Sequence, residues 1–288
     1  MFSLAFGLAT LRMATPLIWA GMAGLLSERV GIMNIALEGY MLLGAFGAAW
    51  GSHVSQDPYL GLLVGGLCGV LGAALHAVWC VGLRADPIVA GAGLNLLALS
   101  LPNFLLQSLW GVAGTSPRVP KLPPFVGGLN LLVPLGLLLV LGIQGFLDQT
   151  RWGLRVLAVG EHPRAAASVG IPVQRYRYLA LLAAGALAGW GGAYLSIGEL
   201  SMFVQQMTAG RGFIALAALI CGNWRPLGTL IAALCFGAAQ ALQLQAQALT
   251  LPLPRDVLLA LPYLLTLLAV AGWVRRSQPP AGMGQHPD

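Results

Sequence analysis

The stretch RWGLRVLAVGEHPRAAASVGIPVQRYRY, Arg151 to Tyr178, carries five of the chain's fifteen basic residues: Arg151, Arg155, Arg164, Arg175 and Arg177. Long apolar runs close in on both sides of it. A short, basic, amphipathic stretch between such runs cannot lie in hydrocarbon, and its arginines place it on the cytoplasmic side of a membrane. Its interior, Pro163 to Val169, reads as a short helix of small residues, opened by a proline and stopped at Gly170. Such a helix has no large apolar face of its own. It is either a solvated connector that sets topology or a contact surface for a cytoplasmic partner.

The composition agrees with a membrane setting. The chain is 58% hydrophobic and 8% charged, against roughly 25% charged residues in soluble domains. So few charges cannot cover a soluble domain of 288 residues. The formal charge of +6 is spread over short loops and is not gathered in a patch, which argues against nucleic acid as a partner. Cys68, Cys80 and Cys235 lie in apolar runs and Cys221 at the end of one, so the four cysteines read as buried thiols. The N-terminal run lacks the basic start of a cleavable signal and is expected to be retained.

A transmembrane helix needs about 20 apolar residues, and nine candidate runs occur. They are Phe6 to Leu26 (weakened by Arg12 and Pro16), Ile32 to Trp50, Leu60 to Leu83, Ile88 to Trp110 (interrupted by Pro102 and Asn103), Leu129 to Phe146, Leu179 to Ile197, the short Phe213 to Cys221, Leu227 to Ala248, and Val257 to Val274. The expected fold class is all-α, a polytopic transmembrane helix bundle of about 8–10 spans. One transmembrane domain covers 1–274, with a cytoplasmic loop at about 147–177 and a polar, disordered tail at 275–288. The Pro-rich segment Gly111 to Gly128 reads as a loop. With the 151–178 loop inside, alternation also places Arg29, Arg84, Arg225, Arg275 and Arg276 inside, leaving Arg12, Arg118, Lys121, Arg211 and Arg255 outside. This arrangement puts the N-terminus outside. Leu200 to Cys221 is accommodated by two crossings or by one re-entrant turn. The pairs Gly47/Gly51, Gly65/Gly69 and Gly185/Gly189 have the spacing that lets helices approach closely in lipid.

Enzyme motifs are largely absent. The four histidines share no metal-ligand spacing, and the single lysine, Lys121, sits between Pro120 and Leu122, so no phosphate-binding loop ending in Gly-Lys-Ser/Thr exists. Any ATP that drives transport is therefore bound by another chain, and no cofactor is expected here. Polar groups inside the spans are the positive signal, because they are costly in hydrocarbon. Ser100, Asn103 and Gln107 recur at helical spacing, with Asn95 two turns before Asn103, and Gln240, Gln243 and Gln247 do the same on a later span. Each stripe either lines a path for a neutral, hydrogen-bonding solute or bonds neighbouring helices. Glu38 is a path candidate too, or else a helix-start cap or the partner of Arg29.

Three runs together carry a resemblance: LSERVGIMNIALEGYMLLGAF (Leu26 to Phe46), RWGLRVLAVGEHPRAAASVGI (Arg151 to Ile171) and TAGRGFIALAALICGNWRPLGTLIAALCFG (Thr208 to Gly237). They resemble the permease subunits of ABC importers of the branched-chain amino acid and simple-sugar class, nearest the nucleoside and simple-sugar branch. The resemblance implies a type II importer fold in the bacterial inner membrane and a translocation path shared between two permease subunits, the second often a different chain. It also implies two cytoplasmic ATPase subunits and an extracytoplasmic substrate-binding lipoprotein. Carried over residue by residue, Gly160, Glu161, His162, Pro163, Arg164, Ala165 and Ala166 match the ATPase coupling loop, and Gly170 and Ile171 match its close. A branched-chain amino acid permease and an ion-coupled secondary transporter are the competing readings, the latter needing titratable groups in the membrane such as Glu38 and Glu199.

Overall fold

The computed structural model describes residues 4–248 and 277–284 of the chain. It is almost wholly helical: α1 (Leu4–Glu28), α2 (Leu37–Ser55), α3 (Pro58–Ala77), α4 (Pro87–Trp110), α5 (Leu132–Gln149), α6 (Arg151–Glu161), α7 (Pro163–Ser168), α8 (Val173–Ala193), α9 (Arg211–Cys221) and α10 (Pro226–Ala248). α3 and α8 each run on into a π-helical turn, Val78–Gly82 and Tyr194–Leu200. A two-stranded hairpin, β1 (Pro124–Val126) and β2 (Leu129–Asn130), interrupts the loop before α5. Among the described residues six helices are long and apolar enough to cross a membrane: Leu4–Glu28, Pro58–Gly82, Pro87–Trp110, Leu132–Gln149, Val173–Leu200 and Pro226–Gln247. Of the nine expected runs, α2 has 19 residues and α9 only 11, and neither is among the six. The run Val257 to Val274 lies outside the described residues.

Local sequence explains where helices begin. α3 and α4 both start at Asp-Pro: Asp57 accepts from the Tyr59 amide at 2.8 Å, Asp86 accepts from Ile88 and Val89, and the proline occupies a first-turn position with no amide to satisfy. Pro16 sits inside α1 and Pro102 inside α4, yet both helices are continuous. Beside Pro102, Asn103 donates its side-chain amide to the Leu99 carbonyl.

Glycines set the packing. Gly65 and Gly69 of α3 lie directly against Gly185 and Gly189 of α8, and Gly44 of α2 meets Gly189 at the same crossing. A methyl group added at Gly189 would sit 2.7 Å from the Gly65 carbonyl oxygen, too close for any real contact. The other expected pair, Gly47 and Gly51, receives Cys68 and Val64 of α3. Apolar burial drives little association in lipid, so backbone proximity of this kind supplies the dispersion contacts that hold α2, α3 and α8 together.

The basic residues sort to two ends of the bundle. Arg29, Arg177, Arg225 and the α6–α7 segment share one end, where Arg177 donates to the Val30 carbonyl and Arg29 to that of Trp224. Arg12 and Lys121 lie at the other, bonded to the carbonyls of Gly128 and Glu199.

At that second end the loop 111–128 is stitched along the chain that follows α8. Ser116 donates its amide to Phe203, Val119 to Ser201 and Leu122 to Ile197, all at 2.9 Å. The chain then turns back into the bundle as α9. Ala215 and Leu219 lie against Gly21 and Gly24, so α9 begins beside the middle of α1 and reaches the α6–α7 end at Trp224. Leu200 to Cys221 therefore passes once through the bundle, from the loop-covered end to the α6–α7 end, and makes neither two crossings nor a re-entrant turn that returns to its own side.

Candidate functional site

The α6–α7 segment is built from its caps inward. Thr150 accepts from the Gly153 amide at 3.0 Å and starts α6, which buries Val156 and Val159 and exposes Trp152, Leu154 and Arg155. An amphipathic helix with exposed arginine and tryptophan suits the boundary between hydrocarbon and water. α7 spans Pro163–Ser168, and Gly170 at φ +84° ends it, a backbone state that favours glycine. Pro163 and Ala166 face inward, while Arg164, Ala165, Ala167, Ser168 and Val169 are exposed. The result is a small convex knob of short side chains.

The knob is firmly mounted. Gly160 touches the backbone of Arg29 so closely that no Cβ fits there. The Arg29 guanidinium donates through Nε and Nη2 to the Trp224 carbonyl at 2.9 and 2.5 Å, and lies 3.8 Å from Glu161 Oε1. Burial pushes the Arg29 guanidinium below its ordinary value, and Glu161 opposes that shift. The Trp224 indole donates to the buried Glu28 carboxylate at 2.5 Å, whose other oxygen accepts from the Asn34 amide at 3.4 Å. Glu161, Arg29, Trp224, Glu28 and Asn34 thus form one chain of contacts linking α6, the α1–α2 loop and the α9–α10 turn.

Composition predicts a disordered tail, but residues 277–284 are held against this end of the bundle. Gly282 donates its amide to the Gly160 carbonyl at 2.8 Å, Gly284 to that of Gly31 at 2.9 Å, and Ala281 to Glu161 Oε2 at 3.1 Å. Gln278 donates to the Asn223 side chain. A Cβ on Gly282 would stand 2.6 Å from Cδ of Pro163, so glycine is required for this approach.

The expected path residues are not brought together. Asn95 is buried and fully engaged: it donates to the Ile35 carbonyl at 3.0 Å and accepts from the Gly39 amide at 2.8 Å, fixing the start of α2. Asn103 bonds within its own helix and Gln107 is exposed. Gln240, Gln243 and Gln247 are half-buried on α10, and Gln240 Oε1 has no partner among the described residues. α4 packs on α2 and α3 whereas α10 packs on α1, α5 and α9, which separates the two stripes. Glu38 is neither on a stripe nor paired with Arg29. Its oxygens accept from the Gly210 amide at 2.8 Å and the Gly212 amide at 2.6 Å, capping α9 at its mid-bundle N-terminus. Sequence spacing could not show this partner 172 residues away. An apolar groove of about 440 Å³ between α2, α3 and α4 offers a polar solute little beyond the Trp50 indole and the Cys68 thiol.

A bundle of long apolar helices, a half-length helix that starts inside it and a rigid basic knob define a polytopic membrane protein. The chain belongs to the family described as branched-chain amino acid transport system / permease component, which matches residues 7–270. It is a multi-pass plasma-membrane protein, the permease component of an ABC transport system that also comprises ATPase and substrate-binding partners. It is 36% identical to a guanosine ABC transporter permease protein of Bacillus subtilis, covering 96% of this chain and 94% of the relative. It is 38% identical to a putative glucose ABC transporter permease protein of Haloferax volcanii (90% and 83% covered). A nucleoside ABC transporter permease protein of Lactococcus lactis subsp. cremoris is 37% identical (94% and 92% covered). No solved structure matches the chain.

Proposed function

We propose that this chain forms half of the translocation path of an ATP-driven importer for a nucleoside or simple sugar, and that α7 is the knob on which an ATPase subunit docks. The exposed face of α7, mounted through Gly160 on Arg29, carries this reading: a rigid contact can transmit a push, which a solvated connector cannot. The two relatives named for guanosine and nucleoside and the one named for glucose support the solute class. The α6–α7 end then faces the cytoplasm, and a second permease chain of different sequence completes the path. An extracytoplasmic binding lipoprotein delivers the solute. Gln240, Gln243 and Gln247 remain candidates for weak contacts along the path, whereas Asn95 and Glu38 are committed to backbone amides.

The test uses exposed positions, because Glu161 is bonded to the Ala281 amide and paired with Arg29. Arg164→Glu with Ala165→Trp changes the charge and shape of the exposed face of the knob and leaves Gly160, Glu161 and Arg29 in place. The double variant is expected to insert normally, to lose co-purification with the ATPase and to lose uptake. Wild-type co-purification together with wild-type uptake would refute the docking assignment.

A further inference from the structure

The exposed face of α6 is basic and apolar at once, and the docking of α7 does not use it. Arg151 and Arg155 stand one turn apart on that face, with Trp152 and Leu154 between them, both more than half exposed. Arg155 is held in place. Its guanidinium carbon lies 5.7 Å from the centre of the Trp152 ring, and Nη1 donates to the Tyr176 hydroxyl at 3.3 Å. The Trp152 and Tyr176 rings are 5.9 Å apart. Arg151, and Arg175 next to Tyr176, are exposed and have no partner among the described residues. The acids at the two ends of α6 are engaged elsewhere: Asp148 accepts from Gln144 on α5, and Glu161 meets Arg29 and the Ala281 amide.

The level of this face in the bundle decides what covers it. α6 follows α5 after a single residue, and both α5 and α8 are long and apolar enough to cross a membrane. α5 exposes Leu138 and Leu141, and α8 exposes Leu179. Leu179 lies three residues past Tyr176, so roughly 4.5 Å of helix rise separates the Arg155–Tyr176 contact from a side chain that faces hydrocarbon. Tryptophan and tyrosine at that level belong to the headgroup zone. There Trp152 and Leu154 reach the acyl chains while the arginines keep their charge at the phosphates. A guanidinium fork matches phosphate oxygens, and an anionic leaflet attracts each arginine near its surface.

We infer that the exposed face of α6 binds the phosphate headgroups of anionic phospholipids in the leaflet at the α6–α7 end. Arg151 and Arg155 are the donors, Arg175 adds positive charge beside them, and Trp152 and Leu154 seat the helix among the upper acyl chains. A zwitterionic lipid offers the same phosphate, but its own cation cancels the attraction. The inference depends neither on the solute class nor on the docking at α7.

The test reconstitutes the full chain in phosphatidylcholine vesicles. These carry a trace of phosphatidylglycerol or of phosphatidylcholine with a photoreactive group beside the headgroup, and labelled peptides are mapped by mass spectrometry. Labelling at 151–160 is expected to favour phosphatidylglycerol and to lose that preference in high salt. Tyr59 and Leu60, exposed at the start of α3 behind Asp57, should show no such preference and report correct insertion of every variant. Arg151→Gln and Arg155→Gln are each expected to lower the preference about fivefold. Arg155→Lys keeps the charge and should keep most of the preference. A loss as large as that of Arg155→Gln would assign Arg155 to packing on Trp152 and overturn its role as a headgroup donor. Equal labelling by the two lipids in wild type, or an unchanged preference in the Arg151→Gln/Arg155→Gln double variant, would overturn the site. Loss of all labelling at 151–160 once the ATPase subunit is bound would also overturn it, by assigning this face to a protein partner.

Discussion

Glu38 is the residue whose role the structure changes most, and Glu38→Leu isolates that role. The carboxylate accepts from Gly210 and Gly212 at the start of α9, inside the bundle where water cannot replace it. Leucine leaves both amides without a partner, and each buried unsatisfied donor costs about 1–3 kcal/mol. The expected loss is therefore about 2–6 kcal/mol of local stability at the α9 start. Glu38→Gln keeps one acceptor oxygen, leaves the other amide facing an NH2 group, and should lose about half of that. Hydrogen exchange of the purified chain in nanodiscs reads this directly. Amides of residues 208–214 should exchange at least thirtyfold faster in Glu38→Leu, since about 1.4 kcal/mol corresponds to tenfold, while α2, α3 and α8 keep their protection. Wild-type protection at 208–214 in Glu38→Leu would refute the capping assignment and return Glu38 to the solute path.

Other outcomes follow from single contacts. Gly185→Leu forces a side chain into the α3 backbone at Gly69, and overpacking of this kind costs typically 1–3 kcal/mol or more, so the variant should unfold at lower detergent-denaturant concentration than wild type. Gly282→Val cannot pass Pro163, so exchange at 277–284 should rise sharply without a change in the melting temperature of the bundle. Trp224→Phe removes the indole donor from buried Glu28 and should destabilise the chain by about 1–3 kcal/mol, measured by the same denaturation.

Much of the helical plan is legible in the sequence because hydropathy, Asp-Pro starts and the Pro163 to Gly170 boundary are local signals. The glycine spacing is legible too, and Gly65/Gly69 and Gly185/Gly189 turn out to be each other's partners. The polar groups were harder to place. Asn95 and Gln107 share a helical stripe, yet one is buried on two backbone groups and the other is exposed, because α2 covers only part of α4. Glu38 and Arg12 have partners 116 to 174 residues distant, and only tertiary packing brings them into place. The tail is polar and Pro-rich, which reads as disorder, but its glycines let the backbone reach carbonyls at Gly160 and Gly31 that no composition reveals.

The central claim is that this permease component imports a nucleoside or simple sugar on the energy of ATP hydrolysed by a partner docked at α7. The decisive measurement is uptake of labelled guanosine and glucose into proteoliposomes holding the chain with its second permease and ATPase, the binding protein outside. Accumulation is predicted to require enclosed ATP and to vanish in Arg164→Glu/Ala165→Trp. Equal accumulation without ATP, driven by an imposed ion gradient, would contradict it.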